Sequence, residues 1–179
     1  MGTSQLWSQE MTTPLGPMIA VAGDRGLVLC EFVDRPMLPT QLQRIESICD
    51  GTVVSGRHEV LAQTQVELDE YFDGKRETFT MPLMLDGSPF QMSVWRELQR
   101  IPFGTTTSYD SIATRVARPG AARAVGRANG DNRIAIIVPC HRVINADGSL
   151  SGYGGGKHRK QWLLTHERRG EQLAFDAME

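Results

Sequence analysis

The run Met84-Leu85-Asp86-Gly87-Ser88-Pro89 divides this chain of 179 residues almost in half. Gly87 and Pro89 sit badly in the interior of any helix or central strand, so no element passes through the run. A helix starts at its C-terminal end. Ser88 stands at the N-cap, Pro89 at the first helical position and Gln91 three residues after the cap, where serine and glutamine can each satisfy one orphan backbone N–H. Residues 1–86 and 87–179 are then each long enough for one small domain.

The two halves carry opposite charge. Residues 1–87 hold 13 acidic and 6 basic side chains, whereas 88–170 hold 5 acidic and 13 basic. A basic half points to a polyanionic partner, although uneven surface charge without a partner is the other reading. Hydrophobic residues at 40% and charged residues at 22% exclude wholesale disorder and collagen-like repeats. No stretch of about 18 apolar residues exists, so no membrane span is expected. Residues 1–10 are polar and read as a chain without a signal peptide. Three widely spaced cysteines, Cys30, Cys49 and Cys140, suit a reducing cytoplasm better than a disulfide framework.

The first half reads as α+β. Met18–Ala22 and Leu27–Val33 flank the turn Asp24-Arg25-Gly26 and predict a β-hairpin. Helices are expected from about 39 to 48, after Pro36 and Pro39, and from 57 to 72, ending at Asp73-Gly74. This half is read as scaffold. In the second half, Phe90, Val94, Leu98 and Ile101 recur at helical spacing with Trp95 beside them and predict a core-facing helix. Ser108 can cap a short helix holding Ile112, Ala113 and Val116. Arg118-Pro119-Gly120 breaks it before a second helix over 121–130. In that helix Ala121, Ala122, Ala124, Gly126 and Ala128 are small, with Arg123 and Arg127 between them. Such a face admits close approach to a nucleic-acid groove, or to its own domain. Residues 1–10 and 171–179 are expected to be mobile ends.

Ile134–Val138 predicts a buried strand, stopped by Pro139 and followed by Cys140-His141-Arg142. A lone cysteine is commonly a small buried hydrophobe. Here an imidazole and a guanidinium adjoin it in a basic setting, which favours the thiolate and hence nucleophilic chemistry. Along an extended chain His141 would point away from the sulfur, so a water or a local turn would have to join them. The three cysteines show no paired metal-ligand spacing. His58, His158 and His166 are given no role. Gly152–Lys157 is glycine-rich but is not a phosphate loop, because Ser151 stands where that motif needs glycine and His158 where it needs serine or threonine.

Val138-Pro139-Cys140-His141-Arg142-Val143 resembles the active-site motif of the O6-alkylguanine-DNA alkyltransferases, also called methylated-DNA–protein-cysteine methyltransferases. Ala121-Ala122-Arg123-Ala124-Val125-Gly126 is similar to that family's recognition helix. Asn132, Gly152-Tyr153, Gly155-Gly156 and Trp162–Glu167 also fit in order. The resemblance is dense over 88–169. In the first half it is thin, mainly Thr13–Pro17 and Tyr71–Gly74.

The resemblance implies an α+β protein with a small N-terminal domain of antiparallel sheet and helix. A mostly helical C-terminal domain (87–179) with a winged-helix-like helix-turn-helix would bind DNA and transfer the alkyl group. It implies that Cys140 takes that group irreversibly from guanine O6, once per molecule and without a cofactor. His141 would act on the thiol through a water, Glu167 would orient the imidazole, and Asn132 would hold the turn carrying Cys140. Tyr109 would serve guanine N3. Backbone groups of Cys140 and Val143 would read the exocyclic amine, the Gly154 amide would face O6, and Tyr153 would wall the pocket. Some relatives have serine where this chain has Gly154, so no hydroxyl contact is expected there. Because the lesion lies inside the duplex, the nucleotide would be flipped out. Arg123 would fill its place, while Ala121, Ala122 and Gly126 lie in the minor groove. The implied partner is double-stranded DNA containing O6-alkylguanine, met by a cytoplasmic monomer. Some relatives carry structural zinc, but the first half has no matching ligands and no metal is expected. A non-catalytic lesion-binding protein, a helix-turn-helix regulator and a Cys-His hydrolase are the competing readings.

Overall fold

The structure, a computed structural model, describes residues 4–176, with side chains through Arg169. Its contacts form two compact units, one of residues up to Asp86 together with Arg133–Ala135, the other of 87–132 and 136 onward. The α+β class expected from the sequence holds.

In the first unit, strands β1 (Ser4–Met11), β2 (Met18–Gly23), β3 (Gly26–Phe32) and β4 (Gly51–Ser55) lie in the order β3-β2-β1-β4. The predicted hairpin is β2–β3, with an irregularity between Val21 and Ala22. Two features depart from expectation. Residues 4–10, expected as part of a mobile end, belong to β1, and the sheet is mixed because β1 runs parallel to β4 and antiparallel to β2. Only Leu6 and Met11 of β1 are buried, so its sequence is too polar to announce a strand. Backbone pairing on both of its edges makes it one.

Helix α1 (Leu38–Cys49) packs on β3 and β4, and α2 (Glu59–Phe72) packs on β1, β2 and β3. Every residue of β3 is buried, as in a strand covered on both faces. Leu6, Val21, Leu29, Leu38 and Ile45 form one core cluster. His58, assigned no role from sequence, caps α2 by accepting the Val60 N–H at its Nδ1, 3.2 Å away.

The second unit opens with α3 (Pro89–Gln99), and both halves of the predicted capping box are present. Val94, Trp95, Leu98 and Ile101 are buried and Phe90 is half-buried. The Trp95 indole donates to the Ala128 carbonyl at 2.8 Å, tying α3 to the later helix α5. Strand β5 (Thr107–Ser108), α4 (Tyr109–Arg115) and α5 (Ala122–Gly130) come next, with Ser108 capping α4 as expected. Ala117 and Gly120 take left-handed backbone conformations at the break between the two helices. A 3-10 turn (Cys140–Arg142), strand β6 (Val143–Ile144), which pairs with β5, and helix α6 (Lys157–Asp176) complete the unit. Helix α6 extends to Asp176, so residues 171–176, expected as part of a mobile end, are helical, while 177–179 and 1–3 lie outside the described residues.

The strand expected at Ile134–Val138 does not form. Ile134 makes a single bridge to Cys30, Ile136 has a φ of 71°, and the remainder is turn. All five side chains are buried, so the apolar run reflects enclosure rather than a pleated ladder. The Val138 carbonyl, which a strand would pair with a neighbouring backbone, accepts instead from the Asn132 side chain at 2.9 Å.

Gly26 shows how closely the first unit is packed. Its φ is +125°, and a Cβ there would meet the Pro82 carbonyl oxygen at 2.4 Å, where Pro82–Met84 runs beside β3. Gly26→Ala is expected to lower stability by about 2–3 kcal/mol, read as a reduced denaturant midpoint at unchanged slope.

Candidate active site

Pro139 ends the buried turn, and the chain then winds into a 3-10 turn rather than an extended strand. Cys140 and His141 therefore do not alternate across a pleat. Cys140 is 6% exposed, with Asn132 Nδ2 at 3.1 Å from its Sγ. The same amide nitrogen holds the Val138 carbonyl, so one buried asparagine fixes both the turn and the sulfur. The Cys140 carbonyl accepts from Asn129 Nδ2 at 3.3 Å and from the Val143 N–H. Asn129 belongs to α5 and Asn132 lies just beyond its end, so the last turn of that helix supports the sulfur-bearing turn.

His141 is fully buried, and its Nε2 lies 2.7 Å from Glu167 Oε1. Glu167, on α6, also accepts from Arg142 Nε at 2.8 Å, from Arg142 Nη2 at 3.0 Å and from the Gly104 N–H at 3.3 Å. Burial opposes ionisation of this carboxyl. The His141 hydrogen bond and the Arg142 guanidinium outweigh it and hold Glu167 well below the usual carboxylate range. An ionised carboxylate can only accept, so the imidazole carries its proton on Nε2. His141 Nδ1 is then a bare lone pair, and it has no hydrogen-bond partner among the described residues. Burial pushes the His141 pKa below its ordinary value despite Glu167, which keeps the ring neutral at neutral pH.

Tyr109 heads α4, half-buried, with its hydroxyl bonded to Ser151 Oγ. Burial raises its pKa above the ordinary tyrosine value, so it holds its proton. A cleft of about 550 Å³ is lined by Tyr109, Ala122, Arg123, Gly126, Ser151 and Gly154, among others. Arg123 is exposed on α5, and a Cβ at Gly126 would lie 3.9 Å from the Tyr109 ring. Ala121, Cys140, Val143 and Tyr153, which the sequence placed in the same constellation, do not line this cleft. Val143 is buried and its carbonyl accepts from Lys160 Nζ at 2.6 Å. Tyr153 is half-buried, and its carbonyl accepts the Gly156 N–H within the glycine-rich loop.

Four participants escaped the sequence reading: Asn129, Arg142 in its actual role, Ser151 and Lys160. Arg142 was expected to favour the thiolate. Its guanidinium instead grips Glu167 and donates to the Ile101 carbonyl at 2.7 Å. Lys160 did leave a signal. Lys160, Leu163, Leu164 and Glu167 obey the i, i+3, i+4, i+7 rule, and all four are buried on one face of α6. Charged residues on the apolar stripe of a helix need partners inside the protein.

A buried thiol steadied by an amide, next in sequence to a neutral histidine held by a carboxylate, is the arrangement of a candidate cysteine nucleophile. Comparison with known proteins gives it a family. Residues 89–169 match the DNA-binding domain of 6-O-methylguanine DNA methyltransferase, and residues 9–85 match that protein's ribonuclease-like domain. A methylated-DNA–protein-cysteine methyltransferase of Mycolicibacterium paratuberculosis is 45% identical over 161 residues, covering 90% of this chain and 92% of its own. One from Shigella flexneri is 39% identical over 170 residues, covering 91% and 96%. The crystal structure of Mycobacterium tuberculosis O6-methylguanine methyltransferase superposes with a TM-score of 0.78 at 39% identity, over 92% of this chain and 93% of that one. The same organism's protein in complex with DNA gives 0.77 at 40% identity, over 93% and 94%. The chain belongs to the methylated-DNA–protein-cysteine methyltransferase family.

Glu167 is depressed in the folded protein, so its contribution to stability is present above the unfolded carboxyl pKa of about 4.3 and is lost as pH falls below it. Glu167→Gln is expected to be destabilised at pH 7 by about 3 kcal/mol, because it leaves the Arg142 charge buried without its counter-ion. Urea midpoints of variant and wild type should differ most at pH 7 and converge as the pH is taken below 4.

Proposed function

We propose that this protein reverses O6-alkylguanine damage in double-stranded DNA by moving the alkyl group onto Cys140, once per molecule. The observation that carries this reading is Cys140 Sγ held by Asn132, with the His141–Glu167 pair at the adjoining residue, in a chain of this family. His141 takes the thiol proton at Nδ1 through a water, and Glu167 steadies the imidazolium that results. The thiolate attacks the alkyl carbon, the C–S bond forms, and the C–O6 bond breaks with its electron pair leaving on guanine. Tyr109 supplies a proton to N3, so that the base departs neutral. Sulfur provides the bonding pair and no cofactor enters the balance. The thioether is stable, so the protein is consumed.

The lesion's oxygen lies within the duplex, and the target nucleotide is flipped out at a cost of a few kcal/mol. The α4–turn–α5 pair acts as a helix-turn-helix that lays the small face Ala121, Ala122 and Gly126 into the minor groove, where readout is largely independent of sequence. Arg123, exposed at the rim of the cleft, takes the vacated place in the stack. The Gly154 amide faces O6, and Tyr153 bounds the base on one side. The Cys140 and Val143 backbone is assigned to the exocyclic amine, although both carbonyls already accept protein donors. The protein acts as a monomer in a reducing cytoplasm. Cys30, Cys49 and Cys140 are free thiols, and no described helix is long and apolar enough to cross a membrane.

Mixed with a duplex bearing one O6-methylguanine, the wild type should gain the mass of one methyl group, mapped to Cys140, as guanine is restored. Cys140→Ser should lose transfer by at least about 10³-fold yet still bind the duplex. Tight binding without a mass change in the wild type would make it a lesion-binding protein instead. Arg123→Ala should slow repair of duplex about tenfold more than reaction with free O6-alkylguanine analogues, measured as single-turnover rates. Since His141 must be neutral and its pKa lies below the ordinary 6.5, the transfer rate should hold level through pH 6.5 and fall only in more acidic buffer.

A further inference from the structure

Arg127 is the second arginine of α5 and has no part in alkyl transfer itself. It stands four residues after Arg123, so the two side chains lie on one face of the helix, a turn apart, and both are exposed. The face behind them is fixed in place. Val125, Ala128 and Asn129 are buried there, and the Trp95 indole holds the Ala128 carbonyl at 2.8 Å. Helix α5 contains no acid, and Asp131, one residue past its end, accepts from Gln91 Nε2 at 2.9 Å. Arg127 makes no ion pair or side-chain hydrogen bond among the described residues. Arg123 lines the cleft and Arg127 does not, which places the second cation outside the pocket for the base.

We propose that Arg127 is a second minor-groove contact that senses the width of the groove beside the lesion, so that repair is faster where one flank is rich in A·T pairs. This rests on the reading of α5 as the helix laid into the minor groove of an O6-alkylguanine duplex. A polyanion suits the surface, because an exposed guanidinium without a counter-ion gains from phosphates close by. The basic excess of the second half acts in the same sense, with 13 basic and 5 acidic residues over 88–170.

Geometry sets where that contact falls. Four residues of helix advance about 6 Å, and one base pair about 3.4 Å. With α5 along the groove and Arg123 in the place of the flipped nucleotide, Arg127 lies about two base pairs away, always on the same flank. Runs of A·T pairs narrow the minor groove and strengthen its negative potential, which draws an arginine into it. A G·C pair instead projects the guanine N2 amino group there, a donor to which a guanidinium, itself only a donor, offers nothing. Lysine is a poorer substitute, because its ammonium is more strongly hydrated than a guanidinium. The chemistry at Cys140 is untouched by the flank, which changes the free energy of docking.

The test compares second-order rates of methyl transfer from three O6-methylguanine duplexes, with an A·T run on the 5′ flank, on the 3′ flank, or on neither. The wild type should repair one of the two A·T-flanked duplexes about fivefold faster than the G·C-flanked one. Arg127→Ala should cut that ratio below about twofold and reduce the salt slope of duplex binding by about one. Arg127→Lys should keep the salt slope while losing most of the flank ratio. A ratio that survives in Arg127→Ala, with all three duplexes slowed alike, would overturn the contact and leave alkyl transfer standing. Equal wild-type rates on all three would do the same. If the wild type binds these duplexes yet never gains a methyl group, the transfer reading falls, and the three binding affinities then decide the contact by the same ratio. A wild type that binds none of them overturns both.

Discussion

A single buried carboxylate organises the chemistry of this protein. Glu167 on α6 accepts from His141 and twice from Arg142, which joins the long C-terminal helix to the turn that carries Cys140. Through the Gly104 N–H it also reaches the segment after α3, and Arg142 anchors there too, at the Ile101 carbonyl. Three segments distant in sequence thus meet at two oxygen atoms. Taking an ionised carboxylate and a guanidinium out of water costs several kcal/mol each, and only a near-complete set of hydrogen bonds offsets that cost. The same set decides the chemistry, because an acceptor-only partner at Nε2 leaves the other imidazole nitrogen as a base.

The sulfur is held by a separate device. Asn132 and Asn129 come from the end of α5 and grip the Cys140 turn at its Sγ and its carbonyl. The first turn of that helix displays Arg123 at the rim of the cleft. One nine-residue helix therefore links the surface proposed to meet DNA with the atom proposed to react, over a rigid path of a few turns. A flexible connection would let the nucleophile wander, and misplacement by about 1 Å can cost a hundredfold in rate.

The first unit solves a different problem. Its sheet buries β3 on both faces and keeps a charged pair inside, with Glu31 accepting from Arg35 and from the Phe32 N–H. Burial raises the Glu31 carboxyl, and the Arg35 charge opposes that rise without cancelling it. Glu31 and Glu167 are both buried acids paired with arginine, yet they are shifted in opposite senses. The difference lies in the partners: Glu167 has His141 and two nitrogens of the Arg142 fork, whereas Glu31 meets Arg35 Nη1 together with the neutral Phe32 N–H and the neutral Gln41 side chain.

What the sequence determined by itself was local or carried by a contiguous motif. The capping box at Ser88 and Gln91, the helix break at Arg118–Gly120 and the Cys140-His141 junction depend on residues within a few positions of one another. Backbone orphans at a helix end, or a proline after an apolar run, leave the chain few alternatives. Tertiary structure decided what depends on distant partners. The five apolar residues 134–138 form a buried turn because Asn132 and Cys30 supply their backbone partners. The polar β1 is a strand because β2 and β4 flank it. Arg142 faces Glu167, 25 residues away, rather than the sulfur two positions back, and Lys160 sits beneath Ser151 because α6 folds over it. Which partner each of these groups meets belongs to the assembled protein rather than to any stretch of its chain.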